Sequence, residues 1–223
     1  MSVDLICKII ESGNFWTALS GLGGVILGGF ITYVLQKKAE KRKIREERKA
    51  LLCKYLVFID IVYNFAKGID EFLKNKINDP LRHIKIPAIH IIFPEVDTKD
   101  PVVDLYFITE THDVNILGKI YNYKNRYIAL SDMVNIRNQL HINQVQEIIS
   151  TKLGVGDAYI NEDQLKIILG LPLYGKMMTT TDSIYCDTKY IINNYNEIKL
   201  RLTAIFKYLY PEAKIIEIFI DNQ

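Results

Sequence analysis

The dipeptide His112-Asp113 is the part of the chain best suited to metal chemistry, because one class of metal-dependent phosphohydrolases uses such a pair as central ligands. Carboxylates from Asp97 to Asp104 lie shortly before it. A complete site would need further ligands from neighbouring helices, but we expect the other histidines at helix caps or on the surface: His83, His90 and His141. Since carboxylates also favour helix N-termini, we predict no metal and no other cofactor. A membrane-anchored metal-dependent nuclease or phosphohydrolase using these residues is kept as the alternative function.

Other catalytic signatures are absent from the sequence. There is no Walker lysine motif, no GxSxG and no HExxH. Cys7, Cys53 and Cys186 lack the paired spacing of zinc sites and disulfide frameworks, so we expect small buried side chains at these positions. The sequence therefore favours a non-catalytic function over an enzyme.

An uncharged run at residues 15–35, FWTALSGLGGVILGGFITYVL, is followed at once by the basic stretch QKKAEKRKIREERK. A helix of that length measures about 30 Å, the thickness of the hydrocarbon core of a bilayer. Because the positive charges follow the run, the positive-inside rule places residues 1–14 outside and residues 51–223 in the cytoplasm. The sequence thus predicts a single-pass protein of the bacterial inner membrane, with a transmembrane helix at 15–35 and a basic juxtamembrane helix at 36–50.

Two sets of residues in this segment have predicted contacts. Small side chains at intervals of four let membrane helices approach closely, which predicts a homo-oligomer packed through Ser20, Gly24, Gly28 and Thr32. Basic side chains just inside the bilayer contact anionic lipid headgroups, and we assign this role to Lys37, Lys38, Lys41, Arg42, Lys43 and Arg45. The basic stretch is tethered to the membrane and lacks interleaved aromatic residues, so the lipid bilayer is the predicted partner and nucleic acid is not.

The remaining chain has the spacing of three long helices. Apolar pairs from Leu51 to Leu73 predict a helix that ends near Asn75 and continues the membrane helix without a break. A second helix is predicted from His112 to His141, with an extension to Ser150, because apolar residues alternate at four and three: Ile116, Ile120, Tyr123, Tyr127, Leu130 and Val134. The third follows a 3.5-residue register from Ile184 to Leu209, with Thr188 in its one polar slot.

Cap signals predict one or two short helices. Asp100 followed by Pro101 starts a helix toward Thr109, and Asn161 with Gln164 forms a capping box. Gly170 and Pro172 are expected to end that second short helix, and the run 179–182 to cap the last long one. The predicted fold is therefore all-α: a transmembrane helix continuous with a cytoplasmic helical bundle.

The leading functional hypothesis is a membrane-anchored helical domain that senses or binds an unidentified protein or small-molecule signal without catalysis. Abundant isoleucine, lysine and asparagine with sparse alanine are typical of an AT-rich bacterial genome. In organisation, though in no residue motif, the chain resembles small membrane effectors of bacterial antiphage defence, which would imply antiviral activity at the membrane. A membrane scaffold or assembly protein is the second alternative.

Overall fold

The computed structural model describes residues 13–91, 93–94, 100–111, 113–153 and 161–213. Within these ranges all regular structure is helical and there is no strand, so the prediction of an all-α fold is confirmed. The chain divides into two units, Met1–Ala50 and Leu51–Gln223, and each is described by itself.

Three long helices and four short ones lie in the described ranges. The long helices are α1 (Gly13–Lys74), α4 (Asn115–Leu140) and α7 (Leu171–Leu209). The short helices are α2 (Arg82–Lys85), α3 (Pro101–Asp104), α5 (Gln146–Leu153) and α6 (Glu162–Leu169). A 3₁₀ segment, Tyr106–Thr111, follows α3, and a π-helical turn, His141–Val145, joins α4 to α5.

In the first unit, α1 carries the uncharged run and the basic stretch. In the part of the chain that the structure describes, no helix is long and apolar enough to cross a membrane, so the structure does not support the predicted transmembrane helix.

The second unit is built on the C-terminal part of α1 together with α4 and α7. Asp70 pairs with Lys189 while Asp60 pairs with Lys199, so α1 and α7 are antiparallel. Edge-to-face rings join α1 to α4, where Phe58 contacts both Tyr123 and Tyr127. The interior is aliphatic and aromatic, with buried side chains that include Leu52, Ile59, Val62, Ile69, Ile120, Leu130, Ile191, Ile198 and Leu202.

A second, smaller core lies between the short helices and the start of α7. Its buried members are Ile84, Val145, Leu165, Leu169, Leu173, Tyr174 and Met177. The predicted capping box of α6 is confirmed, since the Asn161 side chain accepts from the Gln164 amide and the Gln164 side chain accepts from the Asn161 amide. The predicted cap at Asp100 is confirmed as well, because its side chain accepts from the Val102 amide.

The start of α7 differs from the prediction. Gly170 does end α6, but α7 begins one residue later, with Pro172 in its first turn. Proline is as favourable at a helix start as it is disruptive inside one, because the first amides of a helix have no partner in any case. Thr180 and Thr181 therefore lie in the helix interior and are buried, which makes the predicted capping role of this run wrong.

Candidate functional site

In the uncharged segment of α1, the described large apolar side chains are exposed. They are distributed around the helix instead of along one face: Leu22, Val25, Ile26, Leu27, Phe30, Ile31, Val34 and Leu35. The predicted packing residues Ser20, Gly24, Gly28 and Thr32 are exposed too. The Ser20 and Thr32 hydroxyls donate to the carbonyls of Thr17 and Gly28 in their own helix, and a Cβ added at Gly24 or Gly28 would meet nothing within 4 Å. This surface is open to a partner of apolar chemistry.

The basic stretch of α1 is exposed as well. The predicted headgroup residues all point to its surface: Lys37, Lys38, Lys41, Arg42, Lys43 and Arg45. Lys37 lies 5.7 Å from the ring centre of Tyr33, and Lys43 is 3.9 Å from the Glu47 carboxylate. Such exposed, weakly paired cations remain able to meet an anionic surface.

The predicted metal candidates are not assembled into a site among the described residues. His112 and Asp97 lie outside the described ranges. Asp113 accepts from both the Nε and an Nη atom of Arg201, which satisfies its carboxylate with a fixed cation. The Asp104 carboxylate accepts from the Tyr55 hydroxyl at 3.1 Å. No group of three potential metal-ligating side chains occurs in the described ranges.

The most unusual chemistry of the described chain surrounds Arg137, which is 0% exposed. Its guanidinium donates to the carbonyls of His83, Ile86 and Pro87 and to the Thr181 hydroxyl. No carboxylate in the described part of the chain pairs with it. Burial lowers the pKa of Arg137 to about 10, which leaves the side chain charged at neutral pH. A buried cation held only by neutral acceptors is costly and must have a structural reason.

Two neighbours of Arg137 on α4 also bind backbone groups of the connector, as we call residues 82–91. The Asn138 side chain both donates to the Ile89 carbonyl and accepts from the Ile89 amide, each at 2.8 Å. One turn after Arg137, His141 Nε2 donates to the Ile84 carbonyl at 3.2 Å. We call Arg137, Asn138 and His141 together the clasp. The clasp supplies donors to carbonyls of the short helix α2 and of the irregular segment that follows it, which lack donors of their own in a regular helix or sheet.

The clasp ends where α4 changes its winding. His141 is the first residue of the π-helical turn, in which the Gln146 amide donates to the His141 carbonyl. Isolated π turns in α-helices often lie at functional positions because they displace side chains from the regular register.

His141 and His83 are both buried, so the expectation of capping or surface histidines is wrong for them, whereas His90 is exposed as expected.

A chain of hydrogen bonds leads from His83 to the surface. The Tyr174 hydroxyl donates its one proton to the Glu162 carboxylate at 3.0 Å, so it accepts from His83 Nε2 at 2.7 Å. The Glu162 carboxylate is also 2.8 Å from Lys166 Nζ. Burial, the hydrogen bond to Glu162 and the Glu162 charge raise the pKa of Tyr174 to about 12, so it stays a neutral relay.

Both buried histidines are left with one unpartnered nitrogen. Since Nε2 of each acts as a donor, Nδ1 of each is an unprotonated acceptor, and neither His83 Nδ1 nor His141 Nδ1 has a hydrogen-bond partner among the residues that the structure describes. Burial lowers the pKa of both rings, and Arg82 lowers that of His83 further. The arrangement is therefore a neutral pair of bases beside a buried cation, suited to proton-linked conformational change and not to nucleophilic catalysis.

The cysteines do not contribute to a site. Cys53 and Cys186 are free and exposed, so the expectation of buried positions is wrong for both, and Cys7 lies outside the described residues. Each occurs next to core residues but points outward from its helix, as Cys53 does between the buried Leu52 and Tyr55.

Comparison with known proteins found no matching family model, no matching curated protein and no matching solved structure.

Proposed function

We propose that the protein is a single-pass protein of the bacterial inner membrane whose helical domain senses or binds a signal without catalysis. The observation that carries this is the exposed apolar surface of α1, which surrounds the helix and ends at a basic stretch. An amphipathic helix in water hides one apolar stripe, whereas a helix that is apolar all round needs an apolar environment. The uncharged run extends from Phe15 to Leu35. The structure describes its side chains without a gap only from Ser20 to Leu35, and these residues span about 24 Å of helix.

The basic stretch gives this segment a direction. Cations concentrated on one side of a membrane helix keep that side in the cytoplasm, and each contributes on the order of 1 kcal/mol of attraction to anionic lipid. Residues 1–14 are then outside and residues 51–223 inside. The stripe at Ser20, Gly24, Gly28 and Thr32 supports self-association in the same membrane.

Activity in antiphage defence fits this layout of anchor and sensing domain, and is part of the proposal. A scaffold role would use the same anchor but hold stable partners, which an affinity pulldown from detergent would recover. No contact among the described residues favours the metal-dependent enzyme, since Asp113 is bound by Arg201.

Membrane insertion is tested by extracting cell membranes at alkaline pH. The unaltered chain should stay in the pellet, and Ile26→Lys combined with Ile31→Lys should release it or prevent its accumulation, because each buried lysine costs about 2.5–3.5 kcal/mol at the centre of a membrane helix. Ile167→Lys is the matched control, since Ile167 is 80% exposed on α6. Recovery of the unaltered chain in the soluble wash would refute the anchor.

Orientation and self-association have separate tests. A reporter that is active only in the periplasm should give no signal when fused to the C-terminus, and a strong signal would reverse the topology. Gly24→Leu with Gly28→Leu should weaken association in a membrane reporter assay, because the larger side chains keep the backbones apart. Leu22→Ile, outside the stripe, is the control, and unchanged association of the double variant would remove the stripe as the contact.

A further inference from the structure

Three buried basic groups lie where the clasp meets the connector: Arg137 and His141 of the clasp and His83 of the connector. Arg137 is charged and fully buried, and it has no carboxylate partner in the described ranges. His83 is 3% exposed and His141 is 7% exposed, and Nδ1 of each lacks a hydrogen-bond partner in the described part of the chain. A proton added to either ring would create a buried N–H donor with no acceptor, in addition to a second buried charge.

The charged groups near the two rings affect their protonation differently. Around His83, the cations of Arg82 and Arg137 disfavour protonation, while Asp182 and Glu162 favour it. Asp182 is already engaged, because Arg82 donates to it at 2.9 Å. Glu162 is likewise held by Lys166 Nζ.

His141 has a simpler environment. It lies one helical turn from Arg137, and among the described residues the Arg137 cation is the charged group that lowers its pKa. Its Nε2 donates to the connector through the Ile84 carbonyl, a contact that favours the proton but is already made by the neutral ring. A charged His141 would put two cations beside one another in a region that supplies only neutral acceptors.

We propose that the clasp and His83 together form an acid-sensitive latch, in which protonation of His83 and His141 releases residues 82–91 from α4. In the closed state both rings are neutral and α4 holds the connector by its carbonyls. In the open state the rings reach water and take up protons there. This inference concerns the second unit alone and does not depend on the proposed membrane anchor.

The sign of the pH dependence follows from the direction of the shifts. Burial lowers the pKa of both rings in the closed state, whereas water gives a released ring the ordinary histidine value of about 6.5. The open state therefore binds more protons, so the closed state is fully favoured above about pH 6.5 and loses population as the pH falls below that value. Each histidine changes the ratio of closed to open by up to about tenfold per pH unit.

Hydrogen exchange of the full chain in a mild detergent tests the latch. The Ile89 amide, bonded to the Asn138 side chain, and the Ile86 amide, bonded to the Arg82 carbonyl, report on the connector. After correction for the intrinsic pH dependence of exchange, their protection should fall between pH 7.5 and 5.5 by about tenfold for each histidine that titrates. Amides near Leu130 in the middle of α4 should keep theirs.

Substitution separates the histidines from general acid sensitivity. Glutamine places a neutral N–H donor near the position of Nε2, so His83→Gln combined with His141→Gln should keep the connector protected and make its protection independent of pH. His90→Gln is the matched control, because His90 is an exposed histidine of the same connector. The latch is refuted if the unaltered connector shows no pH dependence, or if the double variant retains it in full.

A second measurement needs no variant to fold. The ring resonances of His83 and His141, followed by NMR in the unaltered chain, should show both rings less than half protonated at pH 6.5, because burial lowers the pKa of each. Half-protonation of either ring at or above that pH while the connector stays protected would contradict the latch.

Discussion

Replacing Arg137 with methionine tests whether the clasp holds the second unit together. Methionine preserves much of the side-chain volume and removes both the charge and the donors. The carbonyls of His83, Ile86 and Pro87 would then lose the donor that Arg137 supplies. These acceptors belong to the backbone, so no side-chain change can remove them together with the arginine.

The magnitude is the balance of two opposing effects. Each buried carbonyl left without a donor costs about 1–3 kcal/mol, so three of them cost about 3–9 kcal/mol. Removing a buried cation recovers several kcal/mol of its desolvation, and methionine adds apolar contact. We expect a net loss of about 3–5 kcal/mol in the free energy of unfolding, a large part of the roughly 5–15 kcal/mol of an ordinary domain.

Urea unfolding of the full chain in detergent, followed by far-UV circular dichroism, measures this loss. Thermal unfolding should show a Tm lowered by roughly 6–20 °C, at about 2–4 °C per kcal/mol. Lys85→Met is the control: this lysine is also in the connector, but its ion pair with Asp79 is exposed, and we expect less than about 1 kcal/mol. A loss below about 1 kcal/mol for Arg137→Met would refute the reasoning, because the three carbonyls would then have found other donors.

The remaining predictions concern single positions on α7 and its start. Thr188→Val should stabilise the protein by about 1 kcal/mol, because the buried Thr188 hydroxyl has no hydrogen-bond partner within the described ranges. Thr181→Val should destabilise the protein, because the Thr181 hydroxyl accepts from Arg137. Urea midpoints that rank the two variants in the opposite order would contradict this. Gly170→Ala should lower the free energy of unfolding by about 1 kcal/mol or more, because Gly170 has a φ of +79°. Gly175→Ala, in the interior of α7, should raise it by about 0.5–1 kcal/mol, because an added Cβ meets nothing within 4 Å. Equal effects in thermal unfolding would show that backbone strain is not the cause.

The long helices could be predicted because their apolar periodicity extends over many turns and is a local property of the chain. The end of α1 at Lys74 and the extent of α7 to Leu209 follow the predicted limits within a residue. The predicted start of α7 is wrong because proline both stops one helix and suits the first turn of the next, and the prediction uses only the first of these properties. Continuing the register of Ile184 backward by three and four gives Thr181 and Met177, which the structure buries, so the pattern did contain the missing turns.

The clasp was missed for a different reason, although it too had a signal. The four-and-three spacing of α4 that ends at Val134 continues to Arg137 and His141, which places two basic residues at core positions. What they bind could not be predicted, because their partners are backbone carbonyls of the connector and every residue type supplies the same carbonyl. Only the tertiary path of residues 82–91 decides which carbonyls lack a donor.

The burial of apolar side chains differs between the two parts of α1. In the second unit, α1 buries residues such as Leu52, Ile59 and Ile69 on one side, as an amphipathic helix does. Among the described side chains before Gln36, nine large aliphatic and aromatic ones are exposed around the helix. Burying each fully is worth about 1.5–3 kcal/mol, so covering them all is worth more than about 10 kcal/mol, comparable with the whole stability of a domain. The size of this free energy is an argument for the proposed membrane anchor, because a lipid bilayer covers a helix on all sides whereas a single protein partner covers one side.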